Sequence, residues 1–109
     1  MDLEAQFDRA MMDVYVRAKR EAKYTASVFH RMLCERGGLS TAKYLINDPS
    51  ESQGYTALWE RNRLDLTVEA LVSDNPRWHP LFTHDELDKA RKRLIKYGYS
   101  GVGSPFRDK

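Results

Sequence analysis

The chain has 109 residues, enough for one modest hydrophobic core without disulfide or metal staples. Hydrophobic residues make up 41% of it and charged residues 31%, a balance that excludes a disordered chain and predicts one folded domain with a well-solvated exterior. Eighteen Lys and Arg against 16 Asp and Glu leave a net charge of +2, too small by itself to imply a nucleic-acid partner, and the lone Cys34 excludes an internal disulfide.

Leu3, Phe7, Met11, Val14 and Ala18 recur at steps of three and four, one buried stripe that predicts a helix over 2–23 with Asp2 as its N-cap. A second helix, over 26–36, carries Val28, Phe29, Met32 and Leu33 and stops at Gly37-Gly38, where a left-handed C-cap costs least. The apolar phase runs on from Ala18 through Ala22 and Ala26, so residues 2–36 read as one helix or as two, and Thr25 favours the break. Further helices are predicted over 41–47, 57–62, 67–73 and 84–97, joined by turn-rich connectors that contain Pro49 and Pro76. No segment supports a strand comparably. The fold class is all-α, a compact orthogonal bundle of five to six helices over 1–97, with a Gly-, Ser- and Pro-rich tail over 98–109 that is expected to fray.

One pattern recurs at the predicted helix starts: a Ser or Thr N-cap, an apolar residue before it and another four positions after it. It places Thr25 between Tyr24 and Phe29, Ser40 between Leu39 and Tyr44, Thr67 between Leu66 and Leu71, and Thr83 between Phe82 and Leu87. Glu86 completes a capping box with Thr83, and Tyr55-Thr56 starts another helix without the distal apolar partner. Each cap contributes about 1 kcal/mol, so these four hydroxyls are expected to be structural and not nucleophilic.

Little else in the sequence carries reactive chemistry. His30 and Cys34 share a helix face at a spacing that zinc ligands use, with Glu35 beside them. Only two ligands converge, so a buried Cys beside a boundary His is the favoured reading. His79 and His84 flank a Pro80 turn, and His84 stands four residues before Asp88, an ordinary first-turn pair. Asp65 and Glu69 would make an acid/base pair, but Arg61 and Arg63 are near enough to draw them into an ion-pair network instead. No phosphate loop, CxxC pair, HExxH or nucleophile elbow is present, and no catalytic residue, cofactor or metal is expected.

Lys89, Arg91, Lys92, Arg93 and Lys96 crowd the last helix, with Tyr97 and Tyr99 beyond them. A phosphate backbone would find cations and a stacking ring there, through Lys89, Lys92, Arg93 and Lys96. The acidic start of the same helix, Asp85, Glu86 and Asp88, gives the alternative that the helix dipole has sorted the charges. Tyr44, Tyr55, Trp59, Trp78 and Phe82 read first as core. Trp78, held between Arg77 and His79 in a proline-bounded turn, is the ring most expected to be partly exposed as an interaction anchor. The leading expectation is a non-enzymatic module that binds an unidentified protein partner through Trp78, Arg61 and Arg63, with nucleic-acid binding as the alternative. No apolar run approaches the ~20 residues of a membrane-spanning helix, and the acidic Asp2 and Glu4 are unlike a signal peptide. A cytoplasmic protein without a membrane partner is therefore expected.

Several stretches together carry a resemblance: Gly37-Gly38-Leu39-Ser40-Thr41-Ala42-Lys43-Tyr44, Gly54-Tyr55-Thr56-Ala57-Leu58-Trp59, Arg63-Leu64-Asp65-Leu66-Thr67-Val68-Glu69, and Leu81-Phe82-Thr83 with Glu86-Leu87. Over residues 7–99 the chain resembles a short uncharacterised bacterial helical module that occurs alone or beside domains of restriction and mobile-element type. The resemblance implies no catalytic residues. It does imply an accessory role around nucleic acid or a protein partner, by association alone.

Overall fold

A computed structural model describes residues 2–99, which form five α-helices and two 3-10 turns with no strand among the described residues. Asp2 opens α1 (Leu3–Glu21) as expected, its carboxylate accepting the Ala5 N–H at 2.7 Å. The helix ends where Lys23 takes a left-handed φ of 58°, which lets the Tyr24 N–H reach back to the Ala18 carbonyl. Residues 2–36 are therefore two helices, but Thr25 is not the cause. It is exposed, α2 (Ser27–Asn47) starts after Ala26, and no side chain caps it.

Helix α2 bends at Gly37, whose φ of 82° suits only glycine, and runs on to Asn47. The restart corrects the cap expected at Ser40. The first N–H of the second segment, that of Gly38, is taken by the Asp8 carboxylate of α1 at 2.7 Å. Approach is so close that a Cβ on Gly38 would lie 2.7 Å from Asp8 Oδ1 and 3.0 Å from Asp8 Cα. Ser40, inside the helix, accepts instead from Arg36 Nε. A similar shift occurs in α3 (Gln53–Glu60), which starts four residues before the expected 57 because Ser52 caps it through the Tyr55 N–H, at 3.0 Å. A 3-10 turn over Leu64–Leu66 leads to α4 (Val68–Ser73), capped by Thr67. A second 3-10 turn, Pro76–Leu81, precedes α5 (His84–Lys96), where Thr83 and Glu86 form the complete capping box. The Cα radius of gyration, 13.0 Å, is that of a packed chain of this length.

Burial is divided among three clusters. The largest surrounds Phe7, whose ring meets Trp78 and Phe82 edge-on at 5.2 and 5.6 Å between centroids and sits with Met11, Ile46 and Val72. Trp78 is thus only 5% exposed, the reverse of the exposure its flanking Arg77 and His79 suggested. The 3-10 turn aims the indole inward and leaves Arg77 exposed and His79 half-buried. A second cluster gathers Ala18, Ala22, Leu58 and Leu66 with Tyr24 against it. The third gathers Tyr55, Leu64, Ala70 and Leu94, with Tyr97 and Tyr99 packed on it. Tyr99 donates to Asp74 Oδ2 at 2.6 Å, so Gly98 and Tyr99 continue the fold, whereas the rest of the expected tail, 100–109, lies outside the described residues. Two of the rings expected in the core are half exposed, Tyr44 and Trp59.

Candidate binding cleft

The three clusters do not merge because a cleft of about 340 Å³ lies between them. Its origin is legible in α1. Phe7 and Met11 fill the core at one end of the helix's buried stripe, whereas Ala18 and Ala22, which continue it against Leu58 and Leu66, carry only a methyl group each, and Ala18 borders the cleft. Ala18 forms one wall, Phe29 and Met32 from the start of α2 a second, and Tyr55 and Leu58 from α3 a third. The stretch Leu66–Glu69 closes the floor. Walls come from all three clusters: Phe29 and Val68 from the first, Ala18, Leu58 and Leu66 from the second, and Tyr55 from the third. The rim carries Thr25, Ser27, Val28 and Gln53, all exposed.

The polar groups deep in the cleft are engaged by the fold. Tyr55 donates its hydroxyl to the Arg93 carbonyl at 3.1 Å, and burial pushes its ionisation well above the usual phenol range. Thr67 donates to the Leu64 carbonyl at 2.7 Å and accepts the Ala70 N–H at 3.2 Å. Glu69, its side chain 5% exposed, accepts from Arg93 Nη1 at 2.7 Å. Burial pushes this carboxyl up and outweighs the opposing pull of Arg93.

Arg93 also donates to the carbonyls of Leu45 and Asp48, at 3.2 and 2.5 Å, and its side chain is 10% exposed. That removes it from the phosphate-binding set expected on α5. Its position beside Ala90 and Leu94 turns it into the fold, where it ties α5 to the end of α2. The other members are at the surface, each beside a carboxylate: Lys89 with Asp85 at 3.1 Å, Lys92 with Asp88 at 3.0 Å, and Lys96 with Glu51 at 3.7 Å.

The expected partner-binding residues are also engaged within the fold. Arg61 is exposed, but its Nε donates to the Ala22 carbonyl and its Nη1 to that of Ala57, while its guanidinium lies 5.2 Å from the centre of the Tyr24 ring. Arg63 bridges Glu21 at 2.8 Å and Asp65 at 3.0 Å. Hydrogen bonds from Arg17 and Arg63 hold the Glu21 carboxyl at about 2, below the usual range. Asp65 and Glu69 therefore belong to separate ion pairs; Glu69 answers to Arg93, not to Arg61 or Arg63.

None of the three histidines lines the cleft. His30 stacks on Tyr15 with 4.6 Å between ring centres, and His79 Nε2 lies 3.0 Å from the Val72 carbonyl. Cys34 is exposed, not buried. Among the described residues no group of three or more His, Cys, Asp or Glu side chains could hold a metal ion, and no helix is long and apolar enough to cross a membrane.

Sequence reasoning missed the cleft and the Glu69–Arg93 pair. One signal for the pair was present: Glu69 interrupts the apolar run Leu66 to Val72, and a lone charge in such a run needs an internal partner. No protein-family model, curated protein or solved structure matches the chain.

Proposed function

We propose that the chain is a non-enzymatic helical interaction module whose recognition element is the apolar cleft. The supporting observation is the divided core. Close-packed interiors leave few voids larger than a water molecule, whereas this cleft measures about 340 Å³, within the range of ligand pockets. Were it dry and closed, ~24 cal/mol per Å³ would make it cost about 8 kcal/mol, as much as the whole net stability of many domains. Its opening to water lowers that figure, and an apolar guest removes much of what is left.

The reading moves recognition away from Trp78, Arg61 and Arg63, because the first is core and the other two hold chain ends and carboxylates. Support for a non-enzymatic role comes from Tyr55, Thr67 and Glu69, the buried polar groups of the cleft, each of which already binds another protein group. Nucleic-acid binding through Lys89, Lys92 and Lys96 has less support, since an acidic neighbour offsets each of them. An accessory role in bacterial defence or mobile-element functions rests on the resemblance alone.

Titration of the protein with the neutral fluorophore N-phenyl-1-naphthylamine tests the reading. One saturable site is expected, and Ala18→Leu, which fills the cleft from α1, should abolish it. Absence of uptake by the wild-type protein would overturn the reading. A mobility shift with single-stranded oligonucleotide at two salt concentrations tests the alternative, and salt-sensitive retardation lost in a Lys89, Lys92 and Lys96 triple Gln variant would favour it.

A further inference from the structure

Resting on the cleft reading, we infer that its ligand is a free, uncharged amphiphile with an apolar body of about a dozen carbon atoms. Size comes first. A 150 Å³ apolar cavity accommodates benzene, and this cleft is a little over twice that volume, so it encloses roughly twelve to fourteen non-hydrogen atoms, and a larger guest such as the three-ring probe projects through its open mouth.

Charge comes second. Glu69 is the one acidic or basic side chain in the lining, and Arg93 offsets it at 2.7 Å. An ionic head at the rim meets no opposite charge in the lining, and drawn inward it would leave water without a counter-charge in the walls, which is costly. The buried hydroxyls cannot serve it either, since Tyr55 and Thr67 each donate within the fold.

The rim differs from the floor. The side chains of Thr25, Ser27 and Gln53 are exposed and neutral. They match a hydroxyl, amide or similar uncharged head at the surface while the chain extends inward.

The surroundings argue for a free small molecule over an inserted protein segment. Protein interfaces have an apolar core that spreads beyond one pocket. Among the described residues Val28, 57% exposed, is the only large exposed apolar residue that lines the cleft; Met12, Val16, Tyr44, Trp59 and Ile95 do not.

Displacement of N-phenyl-1-naphthylamine from the full chain by ten-carbon compounds that differ only in head group tests the inference. Decan-1-ol is expected to displace the probe at concentrations at least tenfold below those needed for decanoate or decyltrimethylammonium. Among alcohols, decanol should act at lower concentration than hexanol. Thr25→Ala with Ser27→Ala should weaken decanol more than it weakens the probe. Ala18→Leu should abolish both, and Gly54→Leu fills the cleft from α3 should Ala18→Leu not fold. A Cβ at Gly54 meets Tyr24 and Ser52 at an ordinary 3.8 Å. If either ionic compound matches decanol within threefold, the uncharged-ligand inference is overturned while the cleft reading stands. If the probe itself does not bind, the cleft reading is what fails.

Discussion

Replacing Arg93 with Met should be the most damaging single change in this protein, in a way that depends on pH. It leaves the Glu69 carboxylate, 5% exposed, without its 2.7 Å partner, and removes the guanidinium from the carbonyls of Leu45 and Asp48. Breaking a buried pair from one side costs ~3–5 kcal/mol, and each abandoned carbonyl adds ~1 kcal/mol. The sum, ~5–7 kcal/mol, is about half of the ~11 kcal/mol expected for 109 residues at ~0.1 kcal/mol each, and should lower the melting temperature by about 20 °C or more.

Burial already pushes Glu69 up against the pull of Arg93, so in the variant, with only a backbone hydrogen bond left to oppose it, that push is stronger. Its folded pKa then lies above the unfolded value of ~4.3. Between the two, the folded state binds more protons than the unfolded state, so stability rises as pH falls. Urea unfolding at pH 8, 6.5 and 5 should therefore show the deficit shrinking towards pH 5. Glu69→Gln added to Arg93→Met should recover stability at pH 8. A deficit below 1 kcal/mol, or one that grows as pH falls, would refute the account of Glu69 as a buried carboxyl held by this one cation.

Glu86 should behave in the opposite sense. Burial raises its pKa, but Lys43, the Thr83 N–H and Asn47 outweigh that and hold it at about 2, so its contribution, ~3 kcal/mol, is complete above pH ~4.3 and lost as pH falls towards 2. Glu86→Gln should therefore lower stability at pH 7 and make no difference near pH 2, as read by circular dichroism melts. Among the hydroxyls, Thr83→Ala should cost ~1–2 kcal/mol, while Thr25→Ala and Ser40→Ala should each change stability by less than 0.5 kcal/mol in urea titrations. Gly38→Ala should destabilise by more than 1 kcal/mol even when combined with Asp8→Ala, because the Asp8 Cα, 3.0 Å away, remains when the carboxylate is gone. Equal stability of the double variant and Asp8→Ala alone, measured by thermal melts, would contradict that contact.

The contrast among the caps shows what was legible. Asp2, Thr67 and Thr83 act on N–H groups three residues ahead, so the sequence window contains both partners. Ser40 misled because the helical segment restarts earlier, at Gly38, whose N–H is met by Asp8, thirty residues upstream. Trp78 misled for a related reason: its polar neighbours and flanking prolines describe a turn at the surface, but not which way the ring points. Arg93 was readable in part, since it shares the buried side of α5 with Ala90 and Leu94. The all-α class followed from periodicity and punctuation. The cleft did not, because it is set by where side chains from three clusters fail to meet, a property of the spacing between helices that no local pattern encodes.

The division of the core also bears on cooperativity. Helix α3 contributes Leu58 to one cluster and Tyr55 to another, and both side chains face the space between them. With that space holding only water, α3 can detach by giving up the burial of Tyr55 and Leu58, the Tyr55–Arg93 hydrogen bond and the ring contacts of Tyr55 and Trp59 with Tyr97 while the Phe7 cluster stays intact, which makes it a unit of sub-global opening and a route by which a guest enters. A bound guest touches walls from all three clusters at once and couples their unfolding. Amide protons of α3 that exchange early in the free protein should then exchange only with the slowest in the chain.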